Sequence, residues 1–267
     1  MKYTCETQNT ALVVDALAEK STLSKGQIKD AMNKGAVWIQ KGKKQRRLRR
    51  AKATFKKGEK LHLYHDPQLL SCKVEAPILL EDLGTYSVWQ KPAGLLSQGT
   101  KYGDHYSLLR QVELAFQPAR KVFLIHRLDR EASGLMLIAH QPHIAAQLSA
   151  YFQDNSIEKR YRIQVRGQAP KQGCFDDLLD DKTAKTSFTY MQYDQEENVS
   201  MVDVLLHGGR HHQIRRHFDM HDLPVMGDPR YGKNNKNTVG LALCAYHLAF
   251  VCPQSQQKRV FCMPTPF

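Results

Sequence analysis

His126-Arg127-Leu128-Asp129-Arg130-Glu131-Ala132-Ser133 is a polar turn set between two apolar runs, Lys121 to Ile125 and Gly134 to Ala139. The runs read as strands and the stretch between them as the turn that joins them. Charges in or beside a core cost free energy unless paired, so the turn needs an explanation. The residues alone allow two: an Asp held between two arginines as an ion-paired corner, or a carboxylate kept for chemistry.

Strands and helices alternate on both sides of this turn. Tyr86 to Trp89 is a strand ending at Lys91-Pro92, and Ser107 to Phe116 is a helix. Pro142 suits the first turn of a helix whose Ile144, Leu148, Tyr151 and Phe152 recur at helical spacing. The next strand alternates: Lys159, Tyr161, Ile163 and Val165 share one face, Arg160, Arg162, Gln164 and Arg166 the other. Met201 to Leu206 alternates too and leads through Gly208-Gly209 into a helix carrying Ile214 and Phe218. The expected class is α+β, with a mixed, mostly antiparallel sheet flanked by a few helices.

At 267 residues the chain has room for one large domain and one small module. Its 39 Lys+Arg against 26 Asp+Glu give a formal net charge of +13, which attracts polyanions through counterion release. No apolar run reaches the roughly 18 to 20 residues that span a bilayer, and no apolar signal core opens the chain. The six cysteines form no Cys-x-x-Cys pair and are expected to be reduced thiols, with the protein cytoplasmic.

Positive charge is concentrated early. Between Lys41 and Arg50, seven of ten residues are basic: Lys41, Lys43, Lys44, Arg46, Arg47, Arg49 and Arg50. Ala11 to Lys20 reads as a helix, Ser24 caps a second with Ile28 and Met32 inside, and Gly35 stops it. Strands at Val37-Trp38-Ile39 and Lys60 to Tyr64 then flank the basic loop. Three parts follow: a module over 1–66, a linker over 67–77 and a large domain over 78–267.

Two resemblances attach to these segments. Leu23-Ser24, Gly35-Ala36-Val37 and Gly58-Glu59 make residues 10 to 66 similar to the S-four-like RNA-binding module, a helix pair and short strands that present basic residues to RNA. The polar turn closely resembles the catalytic loop of RluA-type pseudouridine synthases. Lys91-Pro92-Ala93-Gly94-Leu95, Lys159-Arg160-Tyr161 and Gly209-Arg210-His211-His212-Gln213-Ile214-Arg215 match further segments in the family's order. Pro224 to Gly232 and Leu243 to His247 extend the resemblance over about residues 78 to 262. Ile163, Gly208 and Cys244 depart from the family's usual alanine, threonine and histidine.

The resemblance implies conversion of uridine to pseudouridine in structured RNA, rRNA or tRNA, by a cofactor-free enzyme expected to be monomeric and to need no metal. It implies that Asp129 is the nucleophile or general base, that Arg215 pairs with it and keeps it ionised, and that Tyr161 stacks on the uracil and offers a phenol for proton transfer. Arg127 would fill the vacancy left by a flipped-out base. Expected RNA contacts are Arg127, His126, Arg130, Lys91, Lys159, Arg210, His212 and Gln213, with Lys43, Lys44, Arg46, Arg47, Arg49 and Arg50 in the basic module.

The bland alternatives are a phosphate contact for Arg215 or Arg127 and an ordinary core position for Tyr161. His211, His212, His217 and His221 invite a metal reading, but no Glu follows His217 as a zincin motif requires. Gly208-Gly209 lacks both nucleotide-loop patterns. The rival whole-chain readings are a non-catalytic RNA-binding protein that keeps the fold and, more remotely, a metal-dependent hydrolase.

Overall fold

The computed structural model describes residues 1–265 and 267. Two compact units emerge: residues 1–74 with 98–115, and residues 75–97 with 116–267.

The first unit begins with a strand absent from the sequence-based expectation, β1 (Lys2–Glu6), followed by β2 (Ala11–Leu12) and α1 (Val13–Lys20). Ser24 then opens α2 (Lys25–Asn33) through a capping box in which Ser24 Oγ accepts from Gln27 N–H and Gln27 Oε1 from Ser24 N–H. Ile28 and Met32 lie fully inside, as their spacing predicts. Next come β3 (Val37–Lys41), β4 (Lys44–Arg47), β5 (Thr54–Phe55), β6 (Glu59–Tyr64), α3 (Pro67–Ser71) and α4 (Leu108–Ala115). The antiparallel order β1-β6-β3-β4 covers a core of Val13, Leu17, Ile28, Met32, Leu61 and Leu63.

Three details differ from the sequence reading. The basic run is not a plain loop, because β4 pairs with β3 as a hairpin. The stretch 67–77 is not all linker, because Asp66 accepts from Leu69 N–H and caps α3. Residues 98–115 gather with the first unit through Arg47 and Arg49, which both pair with Asp104, and through Trp38 Nε1–H, which donates to Lys101 O at 2.9 Å.

The second unit is built on one large sheet of β7 (Ile78–Asp82), β8 (Tyr86–Lys91), β9 (Phe123–Leu124), β10 (Ser133–Ala139), β11 (Glu158–Arg166), β12 (Gln172–Phe175), β13 (Lys185–Asp194), β14 (Val199–His207), β15 (Leu243–Val251) and β16 (Lys258–Cys262). Its main path is β12-β13-β14-β11-β15-β10-β8-β7, with β16 on β15 and β9 on β10. Every ladder is antiparallel except β10 with β15. The mixed, mostly antiparallel sheet is therefore as the pattern predicts.

Two helices flank the sheet. Pro142 starts α5 (Pro142–Gln153), which sinks Ile144 and Leu148 into a core with Leu135, Leu137, Leu248 and Phe250. The second, α6 (Gln213–Met220), lays Phe218 edge-on against Phe175 of β12, with ring centroids 5.1 Å apart. The alternation read along β11 is realised, with Lys159, Tyr161, Ile163 and Val165 all buried.

Gly134 makes the parallel junction possible. Its φ is +126°, and a β-carbon there would lie 2.3 Å from the Ala245 carbonyl oxygen, so β10 and β15 approach this closely only around glycine. One register row therefore crosses four strands: Lys91 faces Gly134, Gly134 faces Ala245, and Ala245 faces Tyr161.

Candidate active site

Segments far apart in the chain meet at Asp129. Its Oδ2 accepts from Arg215 Nη1 at 2.9 Å. The other edge of that guanidinium is gripped by Asp228, with Nε to Oδ2 at 2.6 Å and Nη2 to Oδ1 at 2.8 Å. Asp228 Oδ1 also accepts from the backbone N–H groups of Arg230 at 2.8 Å and Tyr231 at 3.0 Å. Arg215 and Asp228 are 2% and 0% exposed, whereas Asp129 keeps 25% of its side chain open to solvent. The supporting charges are thus sealed and the forward carboxylate is accessible.

Both supporting groups stay ionised. Burial pulls the Arg215 pKa down, but the hydrogen bonds it donates to Asp228 and Asp129 outweigh burial and hold the pKa above the ordinary arginine value. Burial pushes Asp228 up, yet Arg215 and the two backbone donors hold its carboxyl below the usual range. A fork-to-fork pair with its remaining lone pairs satisfied can exist in a dry site, and a half-paired one is costly.

The backbone on either side of Asp129 is clamped. Ser97 Oγ donates to Leu128 O at 2.7 Å and accepts from Leu128 N–H at 3.1 Å. The fully buried Lys91 ammonium donates to the carbonyls of Leu95 at 2.8 Å, Pro92 at 3.0 Å and Arg130 at 3.2 Å. Gly94 N–H reaches the same Arg130 carbonyl at 2.7 Å. Burial pushes Lys91 down to about 7, while the charges of Glu131 and Asp129 oppose that fall.

Tyr161 stands on the register row just described and is buried. Burial, then the negative charge of Asp129, raises its phenol above the ordinary tyrosine value. His212 occupies the left-handed backbone region at φ 53° and ψ 32°, immediately before α6. Its Nε2 is 3.7 Å from Asp129 Oδ1, and its Nδ1 lies 3.1 Å from the Tyr231 hydroxyl. Tyr231 also lies under the Arg215 guanidinium, 5.2 Å from ring centroid to Cζ.

Of the expected RNA contacts, Arg127, Arg130 and Arg210 are exposed, and four others are not available for that role. Lys91 and Gln213 are buried and spend their hydrogen bonds inside the protein: Gln213 Nε2 donates to Lys185 O, His207 O and Thr186 Oγ1, and its Oε1 accepts from Arg210 N–H. Lys159 is buried beside Asn155, 3.3 Å from its Oδ1. His126 turns inward, where its Nε2 accepts from Leu137 N–H at 3.0 Å and its ring stacks on Phe152. Burial, with Lys159 nearby, pushes His126 down to about 3, so it is neutral and structural.

In the basic run, Lys43, Lys44, Arg46 and Arg50 are exposed. Arg47 and Arg49 are half-buried and committed to Asp104, to the Gly35 and Thr100 carbonyls for Arg47 and to the Asn33 carbonyl for Arg49. Asp228, Ser97 and Tyr231 are site residues to which no sequence motif above gives a role. Asp228 had a signal, an acidic residue inside Gly227-Asp228-Pro229, but not its partner. The histidines disperse: His217 Nδ1 meets Thr186 Oγ1 and its Nε2 the Asp177 carbonyl, while His221 pairs with Asp177. Among the described residues no group of three or more His, Cys, Asp or Glu is placed to hold a metal ion, and no helix is long and apolar enough to cross a membrane.

A solved structure of human RNA pseudouridylate synthase domain containing 1 matches with a TM-score of 0.63 at 20% identity, covering 73% of this chain and 86% of that one. The large unit thus has the pseudouridine synthase fold. The sequence profile described as RNA pseudouridylate synthase matches residues 85–220. An uncharacterized RNA pseudouridine synthase of Aquifex aeolicus is 28% identical, covering 91% of this chain and 86% of that protein. A tRNA pseudouridine synthase C of Haemophilus ducreyi is 30% identical, covering 69% and 89%. The chain belongs to the RNA pseudouridylate synthase family.

Proposed function

We propose that this protein is an RluA-type enzyme that isomerises particular uridines of rRNA or tRNA to pseudouridine, with Asp129 as the reacting carboxylate. The observation that carries the reading is the 2.9 Å contact of Asp129 Oδ2 with Arg215, backed by the buried Asp228. A corner held only for stability has no use for a second, sealed carboxylate behind its arginine and an open one in front.

The reaction breaks the bond between ribose C1′ and uracil N1 and forms one from C1′ to C5; the C5 proton leaves and N1 gains one. Arg215 fixes one oxygen of Asp129, and Asp129 serves as nucleophile or general base. Tyr161 presents its ring to the uracil and its phenol to the migrating proton. The exposed Arg127 occupies the gap left when the uridine turns out of its stack, offsetting an unstacking cost on the order of a few kcal/mol. Residues 1–66 act as an S-four-like module whose exposed basic side chains bind RNA phosphates.

The test is to map pseudouridine across total RNA from cells with and without the protein and to complement the deletion with Asp129→Asn. Sites should vanish in the deletion and stay absent with the variant. An unchanged map, or full restoration by the Asn form, removes the assignment.

A further inference from the structure

We propose that His212 is a positioning residue that switches Asp129 Oδ1: as a neutral ring it leaves that oxygen free to react, and as an imidazolium it captures it. The inference rests on the reading of Asp129 as the reacting carboxylate. Arg215 occupies Oδ2, so Oδ1 is the oxygen left for chemistry, and His212 Nε2 lies 3.7 Å from it. That separation is too long for a hydrogen bond and short enough to close into one when the ring gains a proton.

Three further features place the ring there by construction. The Tyr231 hydroxyl holds Nδ1 at 3.1 Å, and Tyr231 N–H is itself bound to Asp228, so one support fixes both partners of Asp129. His211 stacks on the outer side, with centroids 3.7 Å apart. The backbone of His212 is left-handed, a region that histidine enters more readily than most residues, and it sets the ring's direction at the start of α6.

The charges facing the ring are Asp129, Arg215, His211 and Arg230, with Glu131 4.0 Å from Arg215 Nη1. Burial favours the neutral ring most, Asp129 opposes it, and Arg215, His211 and Arg230 side with burial, so the His212 pKa falls below the ordinary histidine value. At neutral pH the ring is uncharged and Oδ1 is free. On acidification the imidazolium forms and pairs with it.

The test uses His212→Gln, whose amide nitrogen falls near the position of Nε2, and His212→Asn, whose amide falls near Nδ1 and whose backbone tolerates the left-handed region. Tritium release is followed between pH 5 and 7.5 on total RNA labelled at uridine C5, from cells lacking the protein. The wild type should lose kcat towards pH 5, and both variants should lose that acid limb. At pH 7.5 KM should stay unchanged while kcat falls in both variants, by about ten-fold in Gln, whose amide N–H occupies Oδ1 at every pH, and by less in Asn, whose amide falls short of it.

An acid limb that persists in either variant, or is missing from the wild type, overturns the proposal. So does a raised KM with unchanged kcat, which would make His212 an RNA contact. If both variants fail to fold, Tyr231→Phe, which frees Nδ1, decides by the same limb: it must shift. Asp129→Asn is run alongside. If it stays active, the reading of Asp129 has failed; if it is dead while the His212 variants titrate like wild type, only this inference has.

Discussion

Two charged stretches, 41–50 and 126–134, look alike on paper, each crowded with arginine. In the first, Lys43, Lys44, Arg46 and Arg50 stand in solvent and only Arg47 and Arg49 are tied down, to Asp104. In the second, the backbone around Asp129 is held by Ser97, Lys91 and Gly94, and its carboxylate by Arg215. One stretch is a field with a few anchors, and the other is a fixed geometry with one open end. Charge density sets where a polyanion is attracted; the number of hydrogen bonds converging on the backbone says where a carboxylate is aimed.

That contrast breaks most sharply at Asp129. Asp129→Asn should lower turnover on the order of 10³-fold or more while shifting the melting temperature by only about a few degrees, because the forward carboxylate is partly exposed. A large loss of stability together with activity would return the loop to the ion-paired corner it resembles in sequence.

Removing the support should cost folding as well as rate. Arg215→Met leaves the fully buried Asp228 unpaired and should destabilise by about 3–5 kcal/mol in denaturant titrations. Adding Asp228→Asn should recover much of that loss while activity stays low. Failure of the double variant to recover stability would mean that Arg215 matters for packing more than for charge.

Acid should find the same pair. The Asp228 pKa is depressed in the fold, so its stabilisation is complete above the unfolded carboxylate value and is lost as pH falls through the lower folded one. Stability measured from about pH 5 downward should therefore decline more steeply in wild type than in Asp228→Asn. Parallel curves would show that the pair is not what acid attacks.

The smallest effect belongs to the basic run. Replacing Lys43, Lys44, Arg46 and Arg50 together by Ala should weaken RNA binding and flatten its salt dependence by a slope of about three. Melting temperature and kcat at saturating RNA should hold. Arg47→Ala or Arg49→Ala should instead lower stability with little change of slope, since each serves Asp104. Equal behaviour of the two groups would erase the division within the run.

The same contrast accounts for what could be read from the chain. Ser24 with Gln27, Pro142 and the alternation along β11 are local signals, because cap, ring and period act within a few residues. Resemblance singled out Asp129, Tyr161 and Arg215, and the structure brings Asp129 and Arg215 into contact. What could not be read was which polar side chains turn inward. Lysine is among the least buried residue types, and Lys91 is interior only because the 92–95 turn and Arg130 offer it three carbonyls. Asp228 likewise needed Arg215, and β4 needed β3, each a partner that local pattern does not name.

The register row Lys91, Gly134, Ala245, Tyr161 has a consequence for how the protein comes into being. Its members lie on four strands, and the middle two join the loop that ends at Gly134 to a strand near the far end of the chain. Such distant pairings close late, after the entropy of a long intervening loop has been lost. A nascent or partly unfolded chain therefore has the basic run in hand well before it has an aligned site. On the proposed reading it would hold RNA before it can alter it, and recovery of turnover on refolding becomes a report on the closure of the whole sheet.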